Sequence, residues 1–370
     1  MSTAAEPSLA QRIRAEITRQ GAIPFRRFME LALYDEERGY YARSRRSPRE
    51  DSRPSGAEAA PGPLPKATAA GHADPFGVSG DYFTNSQLQP VFGRLIAQQI
   101  ARWRMEMGDP AGFSVVELGP GRGETTEVLR EGLPDVRVTG LDYGAGRDAS
   151  GGGGALRETR YVGVVFSNEF FDALPVHSVE KRNGRIVEHH VESDAEGFRF
   201  VDGPPSDSRL AGYLDRYSPG LADGQRIEVN LAALERLETI AETLERGYVL
   251  TIDYGYTAEQ IAAGRRFSSG SLMSYVKHQA SEDVLTDPGN RDITAHVNFT
   301  ALEKRGEELG LVSQGLRTQT QFLMEIGEPD QFAAALDAGS EQESFRLRMQ
   351  LKTLLFGLGE TFQVLLQRKL

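Results

Sequence analysis

Short apolar runs alternate along this chain with stretches in which apolar residues recur at helical spacing. Each short run ends in polar or glycine residues, which is typical of buried strands in a parallel sheet. Strands that alternate with helices predict a doubly wound α/β sheet, with ligands bound beyond the carboxyl ends of the strands. We assign strands to residues 115–118, 136–142, 161–166 and 247–253, and helices to residues 8–33, 88–107, 124–130, 231–244, 297–309 and 343–366.

Further patterns divide the chain into regions. Asn183-Gly184 between two apolar runs predicts a hairpin of residues 177–180 and 186–191, and residues 198–201 add a third strand. Few large apolar side chains lie between residues 44 and 74, so we predict a disordered insertion there. The predicted regions are an N-terminal helical region (1–43), the insertion (44–74), a core with hairpin and helical insertion (75–255) and a C-terminal substrate-side and helical region (256–370).

A glycine-rich turn after the first core strand is the strongest candidate for a ligand site. Glu117 ends the apolar run, and Gly119, Gly121 and Gly123 follow on alternate positions. Such a turn lets a ligand approach the backbone closely, because no Cβ stands in the way. No lysine follows at the position that a phosphate-binding loop requires. An acid beside this turn suits the ammonium group of S-adenosylmethionine, although a tight turn in any α/β protein would also explain the glycines.

Asp142 ends the next predicted strand, about 20 residues beyond the glycines, where a carboxylate can bind ribose hydroxyls. A nicotinamide cofactor would need the same acid. Asp142 therefore favours a nucleoside ligand without identifying it.

A second polar cluster, Asn168, Glu169 and Asp172, directly follows the third predicted core strand. Methyl transfer mainly requires alignment of the acceptor with the methyl group. Two carboxylates can bind a guanidinium in a bidentate way and hold its charge on the nitrogens that do not react. Acids at a helix N-terminus are also favoured by the helix dipole alone. We favour the functional interpretation because apolar residues around the acids would form a pocket wall, namely Phe170, Phe171, Leu174 and Pro175.

The histidines leave two interpretations open. His177, His278 and His296 could each act as a base or pack as an ordinary buried histidine. Asp292 or Thr294 could cap the helix that follows His296. His189 and His190 are adjacent on a predicted strand and point to opposite faces, so we predict no metal site.

Composition excludes several classes of protein. The chain of 370 residues has no cysteine, which excludes disulfides and thiolate metal sites. Its formal net charge of -11 argues against a nucleic-acid partner. No apolar run is long enough for a membrane span. The first 20 residues lack an apolar signal segment, so we expect a cytoplasmic protein.

Several separate motifs together resemble the MidA family of S-adenosylmethionine-dependent methyltransferases. The resemblance covers nearly the whole chain. The motifs are Ile23-Pro-Phe-Arg-Arg-Phe-Met29, Tyr34 with Gly39-Tyr-Tyr41, Gly80-Asp-Tyr-Phe-Thr84, Phe92-Gly93, Glu117-Leu-Gly-Pro-Gly-Arg-Gly123, Asn168-Glu-Phe-Phe-Asp-Ala-Leu-Pro175, Ile252-Asp-Tyr-Gly255, Asp287-Pro-Gly289 and Asp292-Ile-Thr-Ala-His-Val297.

The resemblance implies a class I methyltransferase fold with added N-terminal and C-terminal helical elements. It implies S-adenosylmethionine as cofactor and an arginine on a subunit of respiratory complex I as acceptor. Glu117, Gly119, Gly121, Gly123, Asp142 and Asn168 would then bind the cofactor, and Glu169, Asp172, His177 and His296 would be catalytic, with Asp253 as a further residue on the substrate side.

Residues 143–160 are short for this family, where a helix and a strand are expected. This keeps a non-catalytic assembly factor with a degraded cofactor pocket as an alternative. Methyl transfer to oxygen or nitrogen of a small molecule is the other alternative.

Overall fold

The computed structural model describes residues 7–42, 88–143, 160–263, 269–276, 279–359 and 361–370, without the side chain of residue 358. Its strands, numbered in chain order, are β1 (Ile23–Pro24), β2 (Ser114–Leu118), β3 (Arg137–Leu141), β4 (Tyr161–Asn168), β5 (His177–Arg182), β6 (Arg185–Ser193), β7 (Phe198–Gly203), β8 (Arg226–Val229), β9 (Leu244–Tyr256), β10 (Met273–Val276), β11 (Gln279–Ser281), β12 (Asp292–Thr294), β13 (Val297–Asn298), β14 (Val312–Thr318) and β15 (Phe362–Lys369).

Helices lie between these strands in the alternating order that the sequence predicts. They are α1 (Leu9–Gln20), α2 (Phe25–Tyr34), α3 (Val91–Glu106), α4 (Glu124–Gly132), α5 (Arg209–Tyr217), α6 (Leu231–Thr243), α7 (Ala258–Ala263), α8 (Phe299–Glu308), α9 (Gln319–Gly327) and α10 (Glu341–Thr353), with a 3-10 turn at Glu328–Asp330 and a π-helical turn at Leu354–Leu358.

The central sheet has the strand order β14-β15-β9-β4-β2-β3 within the described residues, with β13 on the far end of β9. Strands β3, β2, β4 and β9 run parallel, whereas β15 and β14 are antiparallel to their neighbours. Chain order reverses between β2 and β4, which is the switch point where such sheets bind ligands. The predicted doubly wound fold is confirmed.

Both faces of this sheet are buried. Val115 and Val164 face a cluster formed with α3, α4, α9 and α10. Val116 and Val165, the next residues along, face a second cluster formed with α6 and α8. This arrangement explains why the core strands appear in the sequence as continuous apolar runs rather than as alternating ones.

The predicted helix over residues 8–33 is two helices. Ser8 caps α1 in a capping box with Gln11, and Gly21 ends the helix at φ 85°. The residues after it form β1, which pairs with β6 in a separate antiparallel sheet of order β1-β6-β5-β8, with β7 on β6. The predicted hairpin at Asn183-Gly184 is part of that sheet and is confirmed.

The predicted helix over residues 343–366 is wrong in its last third, after the π-helical turn that ends at Leu358. α10 ends at Thr353, and Phe362–Lys369 is β15, between β9 and β14. Val364 and Leu365 are fully or almost fully buried on opposite faces of the sheet. A short apolar run fits a buried helix and a buried strand equally, and only the neighbouring strands decide between them.

Two of the remaining predictions about organisation concern segments that lie wholly or mostly outside the described residues. The insertion at 44–74 lies outside the described residues, and of the short segment 143–160 only Tyr143 and Arg160 are described. The division at residue 255 stays a prediction, and the central sheet takes strands from both sides of it.

Candidate active site

The glycine turn lies directly beyond the carboxyl end of β2. The N–H of Gly119 donates to the carbonyl oxygen of Leu141 at 2.9 Å, which ties the turn to the end of β3. A Cβ on Gly119 would lie 2.8 Å from the ring of Phe170. Gly121 and Gly123 have φ of 54° and 81°, and a Cβ there would meet no described residue within 4 Å. Among the described residues, the turn therefore packs tightly on one side and leaves open space above its last two glycines.

Glu117 is a buried carboxylate beneath this open space. Only 4% of the residue is exposed, and its Oε2 accepts a hydrogen bond from the hydroxyl of Thr126 on α4. Burial raises the pKa of Glu117 to about 7, and the nearby charge of Asp142 adds to the rise. A buried acid of this kind gains from a positively charged partner.

Asp142 and Tyr143 continue from the end of β3 and are partly exposed. The ring of Tyr143 lies 4.6 Å from that of Tyr34, between their centroids. The guanidinium carbon of Arg236 lies 5.8 Å from the centroid of Tyr143. The structure thus brings Glu117, Asp142 and the glycine turn together, as the sequence predicts, and adds an aromatic group beside them.

These residues fit S-adenosylmethionine. The open side of Gly121 and Gly123 gives a ligand room at the backbone, and two carboxylates face one region beside it. An ammonium group matches the buried carboxylate of Glu117, and ribose hydroxyls match the partly exposed carboxylate of Asp142.

The second polar cluster begins where β4 ends. The side-chain amide of Asn168 donates to Oε1 of Glu169 at 3.0 Å. Glu169 has a left-handed backbone, with φ of 53°, and its N–H donates to the carbonyl oxygen of Ile252 at 3.0 Å. Such a conformation costs roughly 1–2 kcal/mol for a residue with a Cβ. A strained turn at the end of a central strand directs the following residues back over the sheet.

Asp172 is the buried acid of this turn. It is 6% exposed, and its Oδ1 has no hydrogen-bond partner among the residues that the structure describes. Burial raises the pKa of Asp172 well above its usual range, and the charges of Asp253, Glu169 and Asp292 raise it further. A buried carboxylate oxygen without a partner costs free energy. Asp172 is therefore poised for a cationic ligand.

Asp253, the further candidate for the substrate side, lies under the turn. It is completely buried, and its carboxylate accepts hydrogen bonds from the N–H groups of Phe170 at 3.2 Å and Tyr254 at 2.9 Å. Burial raises the pKa of Asp253 to about 7, against the opposing effect of these bonds. Its contacts are those of a residue that shapes the turn.

The contacts of His177 favour the packed alternative. The residue is 4% exposed, and its Nδ1 lies 2.8 Å from Oε1 of Glu188 on the neighbouring strand β6. The hydroxyl of Ser206 lies 3.4 Å from the same nitrogen. His177 and Glu188 form a buried polar pair on neighbouring strands of the antiparallel sheet, and Ser206 contacts this pair from the exposed segment after β7. These contacts account for the histidine without catalysis.

The backbone next to His296 contacts the second polar cluster. Its neighbour Ala295 donates a 2.9 Å hydrogen bond to the carbonyl oxygen of Asp172. The ring of His296 meets that of Tyr256 edge-on at 5.1 Å. The predicted cap by Asp292 or Thr294 is wrong, since Asn298 caps α8 by accepting from the N–H of Ala301. His278 lies outside the described residues.

Sequence reasoning assigned no function to Tyr34, Tyr41 or Asp292. The hydroxyl of Tyr41 donates to Oδ1 of Asp292 at 2.8 Å, and the hydroxyl of Tyr34 donates to the carbonyl oxygen of Ala173. A signal was present, because all three residues belong to motifs that carried the resemblance. Their convergence depends on contacts between distant parts of the chain.

Comparisons with known proteins agree with this geometry. A family model described as an S-adenosyl-L-methionine-dependent methyltransferase matches residues 154–317. The mitochondrial protein arginine methyltransferase NDUFAF7 homolog of Drosophila melanogaster is 28% identical, over 84% of this chain and 74% of the relative. Human mitochondrial NDUFAF7, also named a protein arginine methyltransferase, is 26% identical over 73% of this chain and 68% of the relative.

A crystal structure from Burkholderia thailandensis has a similar fold. That protein is described as a methyl transferase bound to S-adenosyl-homocysteine, and it is 27% identical with a TM-score of 0.76, over 98% of this chain and 92% of that one. The demethylated cofactor in that crystal supports the same cofactor class for this chain.

One prediction is overturned by these comparisons. We expected a cytoplasmic protein, but the relatives named above are mitochondrial, so the cytoplasmic prediction is wrong. Mitochondrial targeting does not need the apolar segment whose absence prompted that prediction. In the part of the chain that the structure describes, no helix has the length and apolar character to cross a membrane.

Proposed function

Because this chain is a MidA-like S-adenosylmethionine-dependent methyltransferase, we propose that it methylates arginine side chains of a protein. The observation that carries the proposal is the buried carboxylate of Asp172. It lies near other acids, and its Oδ1 has no hydrogen-bond partner within the described part of the chain. A guanidinium supplies the positive charge and the paired N–H donors that such a cluster lacks.

In this proposal the glycine turn and two acids hold the cofactor. Glu117 would bind the ammonium group, Asp142 the ribose hydroxyls, and Gly121 and Gly123 the edge that approaches the backbone. Asn168 would shape the transfer site through its backbone. The chemistry that the cofactor supplies when bound is a methyl group on positively charged sulfur, which becomes a neutral thioether when the methyl moves to nitrogen.

The acids would act on the acceptor. Glu169 and Asp172 would bind the guanidinium so that one nitrogen faces the methyl group. The reacting nitrogen must lose a proton when its bond to carbon forms, and a carboxylate in contact can accept it. The raised pKa of Asp172 suits a group that takes up this proton.

We further propose that the acceptor arginine belongs to a subunit of respiratory complex I, as the motif resemblance implies. The names of the relatives, protein arginine methyltransferases, support an arginine in a protein. Enzymes acting on small molecules enclose their substrates. Here Asp172 is buried, but Tyr41, Glu169 and Asp292 around it are partly exposed, which suits a protein chain.

Two measurements on the purified full chain test the proposal. Calorimetry should show S-adenosylmethionine binding. With radiolabelled cofactor, the protein should then transfer methyl groups to a degenerate pentapeptide pool with central arginine, and to the complex I subunits of a solubilised mitochondrial extract. Binding without transfer to any arginine would overturn the acceptor, and absence of binding would favour the non-catalytic assembly factor.

A further inference from the structure

A group of tyrosines from the N-terminal helical region borders the acids of the candidate active site. Tyr34 ends α2, and Tyr41 lies seven residues later; their ring centroids are 5.4 Å apart with the planes nearly parallel at 29°. Tyr40 meets Tyr41 edge-on at 5.2 Å. The sequence next to these tyrosines predicts only helix, and a helical pattern by itself does not explain this aromatic cluster.

Specific hydrogen bonds hold the cluster against the site. The hydroxyl of Tyr34 donates to the carbonyl oxygen of Ala173 at 3.0 Å, next to Asp172. The hydroxyl of Tyr41 donates to Oδ1 of Asp292 at 2.8 Å. Burial raises the pKa of Tyr40 to about 12, with contributions from Asp292 and, in the opposite direction, from Arg122 of the glycine turn. The aromatic cluster therefore reaches from the acids to the cofactor turn.

Asp292 is fixed relative to Asp172 through its own strand. It begins β12, and Ala295, just after that strand, donates its N–H to the carbonyl oxygen of Asp172 at 2.9 Å. Burial raises the pKa of Asp292 to about 6, although the hydrogen bond from Tyr41 opposes this. The charge of Asp292 in turn contributes to the raised pKa of Asp172. The two acids thus face one region from different parts of the chain.

This crowding of acids is unfavourable without a ligand. Like charges at short range repel strongly where water is scarce. Hydrogen bonds inside the protein satisfy Asp253. Asp172 is only 6% exposed, and no described residue makes a hydrogen bond to its Oδ1. A cation between Asp172 and Asp292 would relieve the repulsion and supply the missing donor.

Resting on the proposed arginine methylation, we propose that Asp292, oriented by Tyr41, is a specificity residue that binds the acceptor guanidinium together with Asp172. The rings of Tyr34 and Tyr41 provide flat faces beside it. Guanidinium is planar, weakly hydrated and stacks on aromatic rings, whereas the lysine ammonium is compact and strongly hydrated. The pocket would therefore select arginine over lysine.

Initial-rate kinetics on Tyr41→Phe and Asp292→Asn test this assignment, with degenerate pentapeptide pools carrying central arginine or central lysine. Loss of a hydrogen bond to a charged group should raise the KM for the arginine pool by about tenfold in Tyr41→Phe, and by more in Asp292→Asn. The preference for arginine over lysine should fall in both. Binding of S-adenosyl-homocysteine, measured by calorimetry, should stay within about twofold of the wild type, because the cofactor residues are untouched.

Tyr217→Phe is the matched control. Its hydroxyl also donates to a carboxylate, Oε2 of Glu308 at 3.0 Å, on a different part of the surface. This variant should keep the wild-type KM. Because Tyr41 acts through Asp292, adding Tyr41→Phe to Asp292→Asn should cause less than the product of the separate effects.

The outcomes separate this inference from the proposed function. Unchanged KM and unchanged arginine preference in Tyr41→Phe and Asp292→Asn, with active wild type, would overturn the specificity assignment alone. A loss of S-adenosyl-homocysteine binding as large as the change in KM would also overturn the assignment, because it would show that Tyr41 and Asp292 have a structural role. A wild type that binds cofactor but methylates no arginine would remove the proposed function, and this inference with it.

Discussion

The carboxylate of Asp253 accepts a hydrogen bond of 2.9 Å from the backbone N–H of Phe171, one residue before Asp172, whose Oδ1 has no hydrogen-bond partner among the described residues. Asp253 ends the apolar part of β9, and Phe171 belongs to the turn after β4, so this bond joins two neighbouring strand ends. The two buried acids therefore differ in their hydrogen bonds: both oxygens of Asp253 accept from backbone N–H groups, whereas Oδ1 of Asp172 does not.

This difference predicts that Asp253→Asn destabilises the protein. An asparagine keeps one acceptor oxygen and places an NH2 group where the carboxylate accepts from the backbone. Loss of such a buried bond costs about 1–3 kcal/mol, which should lower the melting temperature by a few degrees. Thermal unfolding of the purified variant at pH 8 measures the effect. An unchanged melting temperature would show that the hydrogen bonds of Asp253 do not stabilise the turn after β4.

Asp172→Asn should have the opposite pattern. The variant removes a buried charge without removing a hydrogen bond to Oδ1, so the melting temperature should stay the same or rise. Methyl transfer to the arginine pool should fall by about 100-fold or more, because the acceptor is no longer oriented. Cofactor binding should stay nearly intact in calorimetry.

Asp135→Asn serves as its control, because Asp135 is an exposed acid beyond the end of α4. This change should leave transfer and cofactor binding as they are in the wild type. If Asp172→Asn lost cofactor binding in parallel with transfer, the acceptor role of Asp172 would be wrong.

The glycine turn gives a prediction that separates strain from ligand exclusion. Gly121 and Gly310 both have a left-handed backbone, with φ of 54° and 83°, and a Cβ at either would meet none of the residues in the described ranges within 4 Å. Alanine at each site should therefore cost a similar 1–2 kcal/mol of strain, roughly. Only Gly121→Ala should abolish S-adenosylmethionine binding, because only there does the Cβ occupy the proposed cofactor space.

Calorimetry of both alanine variants at the same protein concentration makes this comparison. Parallel melting temperatures would confirm that the strain is matched. Retained binding in Gly121→Ala, or lost binding in Gly310→Ala, would place the cofactor elsewhere.

Local sequence features were sufficient to predict the strands and the turn that carry the proposed cofactor residues. The run ending at Glu117, the glycines after it and the strand before Asp142 need only neighbouring residues for their interpretation. The parallel pairing of β2 with β3 then brings these strand ends together. A continuous apolar run bounded by a turn is sufficient evidence for such a unit.

The proposed acceptor half of the site depends on contacts between distant residues, which no local sequence pattern predicts. Tyr41 meets Asp292 across 251 positions of sequence, and Tyr34 meets Ala173 across 139. Likewise β15 is a strand because β9 and β14 flank it, although residues 343–366 have helical spacing. Where tertiary pairing decides, intrinsic preference is a weak guide.

Glu117 allows a test of burial through the pH dependence of stability. Burial raises the pKa of Glu117 to about 7, so the folded protein holds this proton more tightly than the unfolded chain does. Its contribution to stability is complete below the unfolded pKa of about 4 and is lost as the pH rises to about 7. Glutamine is neutral throughout and avoids this loss.

Glu117→Gln should therefore gain stability relative to the wild type between pH 4 and pH 7, seen as a higher melting temperature. The gain in free energy of unfolding should level off above about pH 7, at no more than about 3 kcal/mol. The same variant should bind S-adenosylmethionine roughly 10- to 100-fold more weakly at pH 7.5, because the charged partner of the ammonium group is gone. Glu131→Gln, at an exposed position of α4, should follow the wild type in both measurements. A stability difference independent of pH would mean that Glu117 is ionised in the folded protein at acid pH, and unchanged cofactor affinity would mean that its carboxylate does not contact the ligand.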